Sequence, residues 1–176
     1  IKDNETLFKI AVDLGIEVPG VIAAVPEIKN ILYSSSDNYK NAANIFQKAF
    51  KHVYENPSES VGLANSALES IIKHILEEGQ LDITYNSKDT LYKQTQNIVQ
   101  GFGFDASQNK LKGNIKKISS SLINISQCIE SIRSDNSSNA HGKDRDSYLI
   151  DDPLYSVFVI NCVSTVGLFL MSFYEK

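Results

Sequence analysis

The sequence predicts an all-α protein, an antiparallel helical bundle, and three observations carry this prediction. Apolar residues recur at helical spacing along most of the 176 residues, whereas no segment alternates convincingly between apolar and polar residues. Hydrophobic residues make up 42% and charged residues 22%, so the chain can bury a core without a metal ion or a disulfide. The net charge of -4 argues against a protein that coats nucleic acid through bulk positive charge.

The first third of the chain predicts three short helices. Apolar residues over 7–14 form one helical face, a proline opens a second helix over 26–32, and a third apolar stripe runs over 39–53. We expect residues 1–55 to form an N-terminal helical segment packed on the domain that follows. That domain is predicted over 56–176.

Four longer helices are predicted after this segment, over 60–78, 90–99, 111–133 and 154–174. Ser58 is the expected N-cap of the first of them, because serine side chains accept hydrogen bonds from free amides at helix starts. The residues of the 111–133 helix that we expect to face inward are Ile115, Ile118, Leu122, Ile125, Ile129 and Ile132.

The helix over 154–174 is long enough and apolar enough to cross a bilayer. Its polar residues, among them Asn161, and its lack of flanking positive clusters favour a position inside the bundle. We therefore expect no membrane association.

Cys128 and Cys162 lie in apolar helical patterns that are typical of buried free thiols. Neither belongs to a set with zinc-ligand spacing. We expect a reducing, cytoplasmic location, no metal and no cofactor. Motifs of nucleotide hydrolases, dinucleotide enzymes, zinc proteases and serine hydrolases do not occur in the sequence.

The segment after the 111–133 helix carries the residues best suited to chemistry. Arg133 closes the helix, a loop of Asn, Ser and Asp follows, and His141 comes before a glycine. An arginine fits a phosphate with two hydrogen bonds, and a histidine exchanges a proton near neutral pH. This pair suits metal-free phosphoryl transfer in RNA, where the ribose 2′-OH supplies the nucleophile. The structural alternative is an arginine favoured by the helix dipole and a histidine that satisfies loop backbone groups.

Several motifs follow one another in a characteristic order. They are Asn56-Pro57, Leu-Glu-Ser-Ile-Ile-Lys-His-Ile-Leu over 68–76, Leu-Tyr-Lys over 91–93, a long helix that ends in Arg133, Ala-His-Gly over 140–142, and Asn161 in the last helix. Together they resemble the abortive-infection C-terminal domain of bacterial phage-defence proteins, over about two-thirds of the chain. That family is similar to the wider class of HEPN domains, small helical bundles that are often dimeric and in many cases metal-independent endoribonucleases.

The resemblance implies that Arg133 and His141 are a catalytic pair and that RNA is the substrate. It also implies a homodimer whose two Arg-His sets share one cleft. HEPN domains commonly place four to six residues between the two. Here seven residues lie between them, and Ser134 follows the arginine where Asn or Asp is common.

Glu69 and Lys73 are four residues apart on one predicted helix, a spacing that favours a surface ion pair. We prefer that interpretation to a catalytic one. The family pattern places this glutamate near the bundle interior, which implies a supporting role.

The polar loop offers further candidates for RNA binding. Asn136 and Asn139 are suited to bind phosphate or to position the histidine, and turn formation is the simpler interpretation. Lys143 and Arg145 are placed to hold an RNA backbone, although two aspartates offset their charge. A separate basic stretch over 88–117 has a local net charge of +4 from six lysines and two aspartates, and is either a solvated face or a groove wall.

Three functions fit these observations. The first is a metal-independent endoribonuclease that acts in phage defence. The second is a non-catalytic module that dimerises and binds a partner protein or nucleic acid, with the seven-residue spacing marking a lost active site. The third is a regulatory, antitoxin-like subunit, which no feature of the sequence favours.

Overall fold

The computed structural model describes residues 10, 14, 28–32, 39–104, 113–136 and 150–175, with the side chains of 135 and 136 excepted. Within these residues there are five long helices, a helical turn over 28–32 and no strand. The long helices are α1 (Lys40–Lys51), α2 (Pro57–Glu77), α3 (Leu91–Gly101), α4 (Gly113–Asn136) and α5 (Pro153–Tyr174). The prediction of an all-α bundle is confirmed.

Helix α2 is the centre of the bundle and contacts each of the other four helices. Its buried face carries a continuous apolar stripe that includes Leu68, Ile71, Ile72 and Ile75, none of which is exposed to solvent. Burial of such side chains is the main favourable term in folding. The central position of α2 means that a residue on its face is within reach of several other helices.

Hydrogen bonds give the directions of three helices. Ser60 Oγ, near the start of α2, donates to the carbonyl of Ala49 near the end of α1 at 2.7 Å, and Asn41 reaches Ser70 at 3.2 Å. Helices α1 and α2 are therefore antiparallel. Ser156 Oγ, near the start of α5, donates to Ser60 Oγ at 3.1 Å. The last residue of α5, Tyr174, donates to Glu78 just beyond the end of α2, also at 3.1 Å. Helices α2 and α5 therefore run in the same direction.

Helix α2 begins earlier than the sequence predicted. Asn56 is its N-cap, and its Oδ1 accepts a hydrogen bond from the Glu59 amide at 3.1 Å. Pro57 takes the first helical position, where its lack of an N–H costs nothing. The prediction that Ser58 is the cap was therefore wrong, because Ser58 lies inside the first turn. The helix ends before Gly79, whose φ of 67° is readily adopted only by glycine.

Helix α4 turns a different face to the core from the one predicted. Ile115 and Ile118 are 40% and 58% exposed, so the prediction that they face inward was wrong. Ile129 is buried as predicted, and the other three predicted residues are partly buried. The buried line follows Ser119, Ile123, Ser126 and Ile129. Both serine hydroxyls donate to the carbonyl four residues earlier, which lets serine enter the core at low cost.

The two cysteines are free and differ in exposure. Cys162 is half-buried, and burial raises the pKa of its thiol. Cys128 is exposed on α4, so the prediction of a buried thiol was wrong there. Its helix face is the outer one, since Asn124 and Ser131, four residues before it and three after it, are also exposed.

Helix α5 is the one helix in the described part of the chain that is long and apolar enough to cross a membrane, with a mean hydropathy of 2.0. Half of that window is buried inside the bundle. A single such helix is weak evidence for a span, because the core helix of a bundle meets the same criteria. Its outer face near the start exposes three large apolar side chains, Leu154, Tyr155 and Phe158, each at 59% or more.

Candidate functional site

Arg133 lies in the last turn of α4, where a cation is favoured by the partial negative charge of the helix end. Its Nη1 donates to Oε1 of Glu69 on α2 at 2.5 Å, across 64 residues of chain. The two side chains are 43% and 39% exposed. The pair therefore ties the end of α4 to the middle of α2 at the edge of solvent, where a ligand has access to it.

The Glu69 carboxylate has a second partner beneath it. Asn65, one helical turn earlier on α2, donates from Nδ2 to the same Oε1 at 2.8 Å. Asn65 is fully buried, and its Oδ1 has no hydrogen-bond partner among the described residues. One oxygen of Glu69 thus takes a hydrogen bond from the interior and one from Arg133.

Lys73 does not join this arrangement. Its Nζ lies 3.6 Å from Glu77, one turn further along α2, and both side chains are more than half exposed. The predicted ion pair between Glu69 and Lys73 was therefore wrong. The carboxylate of Glu69 pairs with Arg133 instead, and Glu77 offers Lys73 an i, i+4 partner of the same kind.

A cavity of about 540 Å³ opens beside the Arg133–Glu69 pair, where α2, α3 and α4 meet. Four carboxylates line it, those of Glu69, Glu77, Asp89 and Glu130, and Lys73 contributes one cation. This wall repels phosphate. A second cavity of about 550 Å³ shares Glu130 but is otherwise lined by neutral groups, namely Thr90, Tyr92, Gln127, Ser131 and Ser134. Hydroxyl and amide groups such as these can donate hydrogen bonds to an RNA backbone.

Glu130 on α4 forms a hydrogen bond that holds the start of α3 against α4. Its Oε1 accepts a hydrogen bond from the Leu91 amide at 3.2 Å, and Thr90 caps the same helix start through the Lys93 amide. A carboxylate at a helix N-terminus is favoured by the positive end of the helix dipole. This contact holds the start of α3 one turn away from Arg133 on α4.

The remaining predicted site residues lie mostly outside the described residues. Asn136 is the last residue of α4, and its side chain is not described. Asn139, His141, Lys143 and Arg145 fall in the segment 137–149, outside the described residues. Their predicted roles stay predictions.

Other chemistry-bearing residues lie in structural contacts. His52 faces Glu59 at 3.6 Å, and His74 faces Glu78 at 3.4 Å. Within the described residues, no group of three or more His, Cys, Asp or Glu side chains is placed to hold a metal ion. The expectation that the chain uses no metal and no cofactor stays a prediction. In the basic stretch over 88–117, Lys93 donates to Gln96 at 3.0 Å.

Comparison with known families identifies the family of this helical bundle. The abortive-infection C-terminal family model, described as a HEPN-like domain, matches residues 40–174. The chain belongs to this family. Membership supports a role related to abortive infection of phage-infected cells. The match includes α1, and the predicted domain boundary after residue 55 stays a prediction.

Two further comparisons, with curated proteins and with solved structures, gave no significant match.

Sequence reasoning missed two residues of the site, Asn65 and Glu130. Asn65 had a readable signal, because it interrupts the apolar stripe of α2 between Val61 and Leu68. Glu130 had no such signal in the sequence, because its hydrogen bond depends on the tertiary contact between the start of α3 and α4.

Proposed function

We propose that this HEPN-like domain is a phage-defence effector that cleaves RNA without a metal ion, as a homodimer in the cytoplasm. The observation that carries the proposal is Arg133. It closes α4 half-exposed to solvent, is held by Glu69, and is followed in the sequence by His141. Together, an anchored arginine and a histidine supply the charge stabilisation and the proton transfer that metal-free phosphoryl transfer needs.

The chemistry uses the ribose of the substrate as nucleophile. His141 takes the proton of a 2′-OH, the 2′ oxygen forms a bond to phosphorus, and the bond from phosphorus to the 5′ oxygen breaks. A second imidazolium in the shared cleft protonates the leaving oxygen. Arg133 stabilises the additional negative charge on the phosphorus centre. The products are a 2′,3′-cyclic phosphate and a 5′-hydroxyl.

The contact with Glu69 is compatible with phosphate binding by Arg133. A guanidinium has five N–H donors, and the contact uses Nη1. Among the described residues no other partner holds the guanidinium, so donors remain for a phosphate. The cavity beside Glu69, with four carboxylates, disfavours the RNA backbone. The cavity lined by Ser131 and Ser134 has one carboxylate, that of Glu130, and is the more favourable approach.

Self-association has its own support. Leu154, Tyr155 and Phe158 are 68%, 59% and 64% exposed on the first turns of α5. Apolar patches of a few hundred Å² commonly mark contact surfaces. A second copy seated on this patch would join the two chains at the start of α5, which follows the segment with His141 in the sequence.

The proposal is tested by RNA cleavage in EDTA with wild type, Arg133→Ala and His141→Ala, all shown to be folded by circular dichroism. We expect a 2′,3′-cyclic phosphate from the wild type and losses of roughly 100-fold or more in each variant. Lys48→Ala and His52→Ala remove a similar cation and imidazole elsewhere and should cleave normally. A folded wild type that cuts no RNA, or variants that cut as well as wild type, would refute the proposal.

A non-catalytic binding module is the second candidate, and the Arg133–Glu69 ion pair beside an acidic cavity favours it. In that case the pair serves to fasten α4 to α2, and RNA or a protein partner binds without being cut. Fluorescence anisotropy with a labelled oligoribonucleotide distinguishes the two functions. Binding that leaves the RNA intact after long incubation supports the module.

A further inference from the structure

We propose that Asn65 and Glu69 are positioning residues which hold Arg133 in place to stabilise charge on the phosphorus centre, in the order Asn65, Glu69, Arg133. The inference rests on the proposed ribonuclease function and adds to it a residue of the bundle interior. We refer to these three side chains as the relay. Asn65 touches neither RNA nor Arg133 in this arrangement, and acts only through the Glu69 carboxylate.

The buried side chain of Asn65 lowers the stability of the core in which it lies. It is 0% exposed on an apolar stripe, and its Oδ1 has no partner among the described residues. A buried polar atom without a hydrogen bond destabilises the folded state. Leucine branches at the same side-chain atom as asparagine and has no polar atoms, so it removes that penalty. The folded core therefore gains little from the amide at position 65.

Among the described residues, the Asn65 amide makes one side-chain hydrogen bond. Nδ2 donates to Glu69 Oε1 at 2.8 Å, and Arg133 Nη1 donates to the same oxygen. Glu69 is 39% exposed, so without an interior donor its side chain has freedom to take other rotamers. The buried amide removes that freedom, because Asn65 is itself enclosed on all sides. The carboxylate is thus fixed by the rigid core of α2.

The fixed Glu69 carboxylate in turn restricts the position of Arg133. Arg133 ends a flexible side chain near the end of a helix, with many rotamers available. Holding Nη1 at one point restricts the guanidinium before RNA arrives, while its remaining donors stay available. Orientation before binding lowers the entropic part of the barrier to reaction, so its loss appears mainly in kcat. A structural ion pair predicts no such effect on kcat once the protein is folded.

The central experiment compares Asn65→Leu with wild type on a fluorescein-labelled oligoribonucleotide of random sequence, in EDTA. We expect an unchanged or higher Tm, a kcat about 10-fold lower and a KM within about twofold. Thr95→Val is the matched control. Thr95 is equally buried and donates to Leu91, away from the relay, so its loss should leave kcat unchanged.

Two further comparisons separate positioning from a structural role. Adding Asn65→Leu to Arg133→Ala should reduce cleavage no further, because the relay acts only through the arginine. Glu69→Gln keeps an oxygen that accepts from both Asn65 and Arg133, so it should retain activity within about threefold, whereas Glu69→Ala should lose about 10-fold or more. The glutamate pair also tests the relay if Asn65→Leu does not fold.

The outcomes are distinct. If the wild type is active and Asn65→Leu is equally active, the relay is overturned and the ribonuclease function stands. The relay is also overturned if activity falls only together with Tm, or if Asn65→Leu weakens the Arg133→Ala variant further. If the folded wild type cuts no RNA, the function fails, and the relay fails with it.

Discussion

Gly167 on α5 allows a close approach between this helix and the core, and filling it with a methyl group is a direct test of the packing. A Cβ at this position would lie 2.7 Å from Cδ1 of Ile28 and 3.2 Å from Cδ1 of Ile71. Carbon atoms in contact normally lie about 3.5–4.0 Å apart. Both isoleucines are fully buried, so neither side chain can swing into solvent to relieve the contact. Gly167→Ala therefore forces a rearrangement of the core.

Two effects of opposite sign set the size of the change. Alanine is better than glycine in a helix interior by about 1 kcal/mol. Overpacking a buried site costs about 1–3 kcal/mol. The free energy of unfolding should therefore fall by about 0–2 kcal/mol in Gly167→Ala. Ile28→Val removes the atom at 2.7 Å and alone costs about 0.5–1.5 kcal/mol. In the double variant the nearer clash is absent, so the two changes should couple favourably by about 1–2 kcal/mol.

Equilibrium unfolding in urea, followed by far-UV circular dichroism, measures the four free energies of this cycle. Gly62→Ala is the control, because a Cβ there meets nothing within 4 Å and should stabilise α2 by up to about 1 kcal/mol. If the Gly167 and Ile28 effects add to within about 0.5 kcal/mol, the reasoning about this contact is refuted.

Three other predictions concern a helix cap, alkaline pH and self-association. Asn56→Ala should lower the free energy of unfolding by about 1 kcal/mol, because the helix loses its cap. Ser58→Ala should change it by less than about 0.5 kcal/mol. Equal effects of the two substitutions in urea unfolding would contradict the cap assignment. Burial, followed by the hydrogen bond to Glu78, raises the pKa of Tyr174 from its ordinary value of 10 to about 12. The unfolded chain therefore ionises first, so the stabilisation from the neutral Tyr174 hydroxyl is complete below about pH 10 and is lost as the pH rises towards 12. Tyr174→Phe should reduce this loss of stability in unfolding experiments at intervals across that range. An unchanged pH dependence would count against the assignment. Phe158→Ser should weaken self-association at least about 10-fold in sedimentation velocity. Ile118→Ser, which changes a similarly exposed side chain on α4, should not weaken it. If both variants sediment like the wild type, the α5 patch is not the contact surface.

The fold was predictable because its signals are local. Helical spacing of apolar residues identified all five long helices. The start of α2 was misjudged because both asparagine and serine suit an N-cap. Pro57 takes the first helical position, which makes Asn56 the cap and places Ser58 inside the helix. The α4 face was misjudged because buried serines bond to their own helix, and the sequence does not show which hydroxyls do so.

The site was predictable only in part, since its main contact is not local. Arg133 could be identified from its position before the polar loop, but its bond to Glu69 spans 64 residues and depends on α4 lying against α2. The local rule for charges four residues apart paired Glu69 with Lys73, which takes Glu77 instead. Side-chain pairs on one helix are worth only about 0.2–0.5 kcal/mol, so tertiary packing readily overrides them.

The parallel arrangement of α2 and α5 has a consequence for synthesis. Ser60 with Ser156 and Glu78 with Tyr174 are both separated by 96 residues, so one constant offset in sequence relates the two helices. Contacts this distant form late, because the intervening chain must first be ordered. A chain still being translated cannot assemble the centre of its core until α5 has left the ribosome exit tunnel. Glu69 lies on α2, so the bundle that supports its contact with Arg133 is incomplete until α5 is in place.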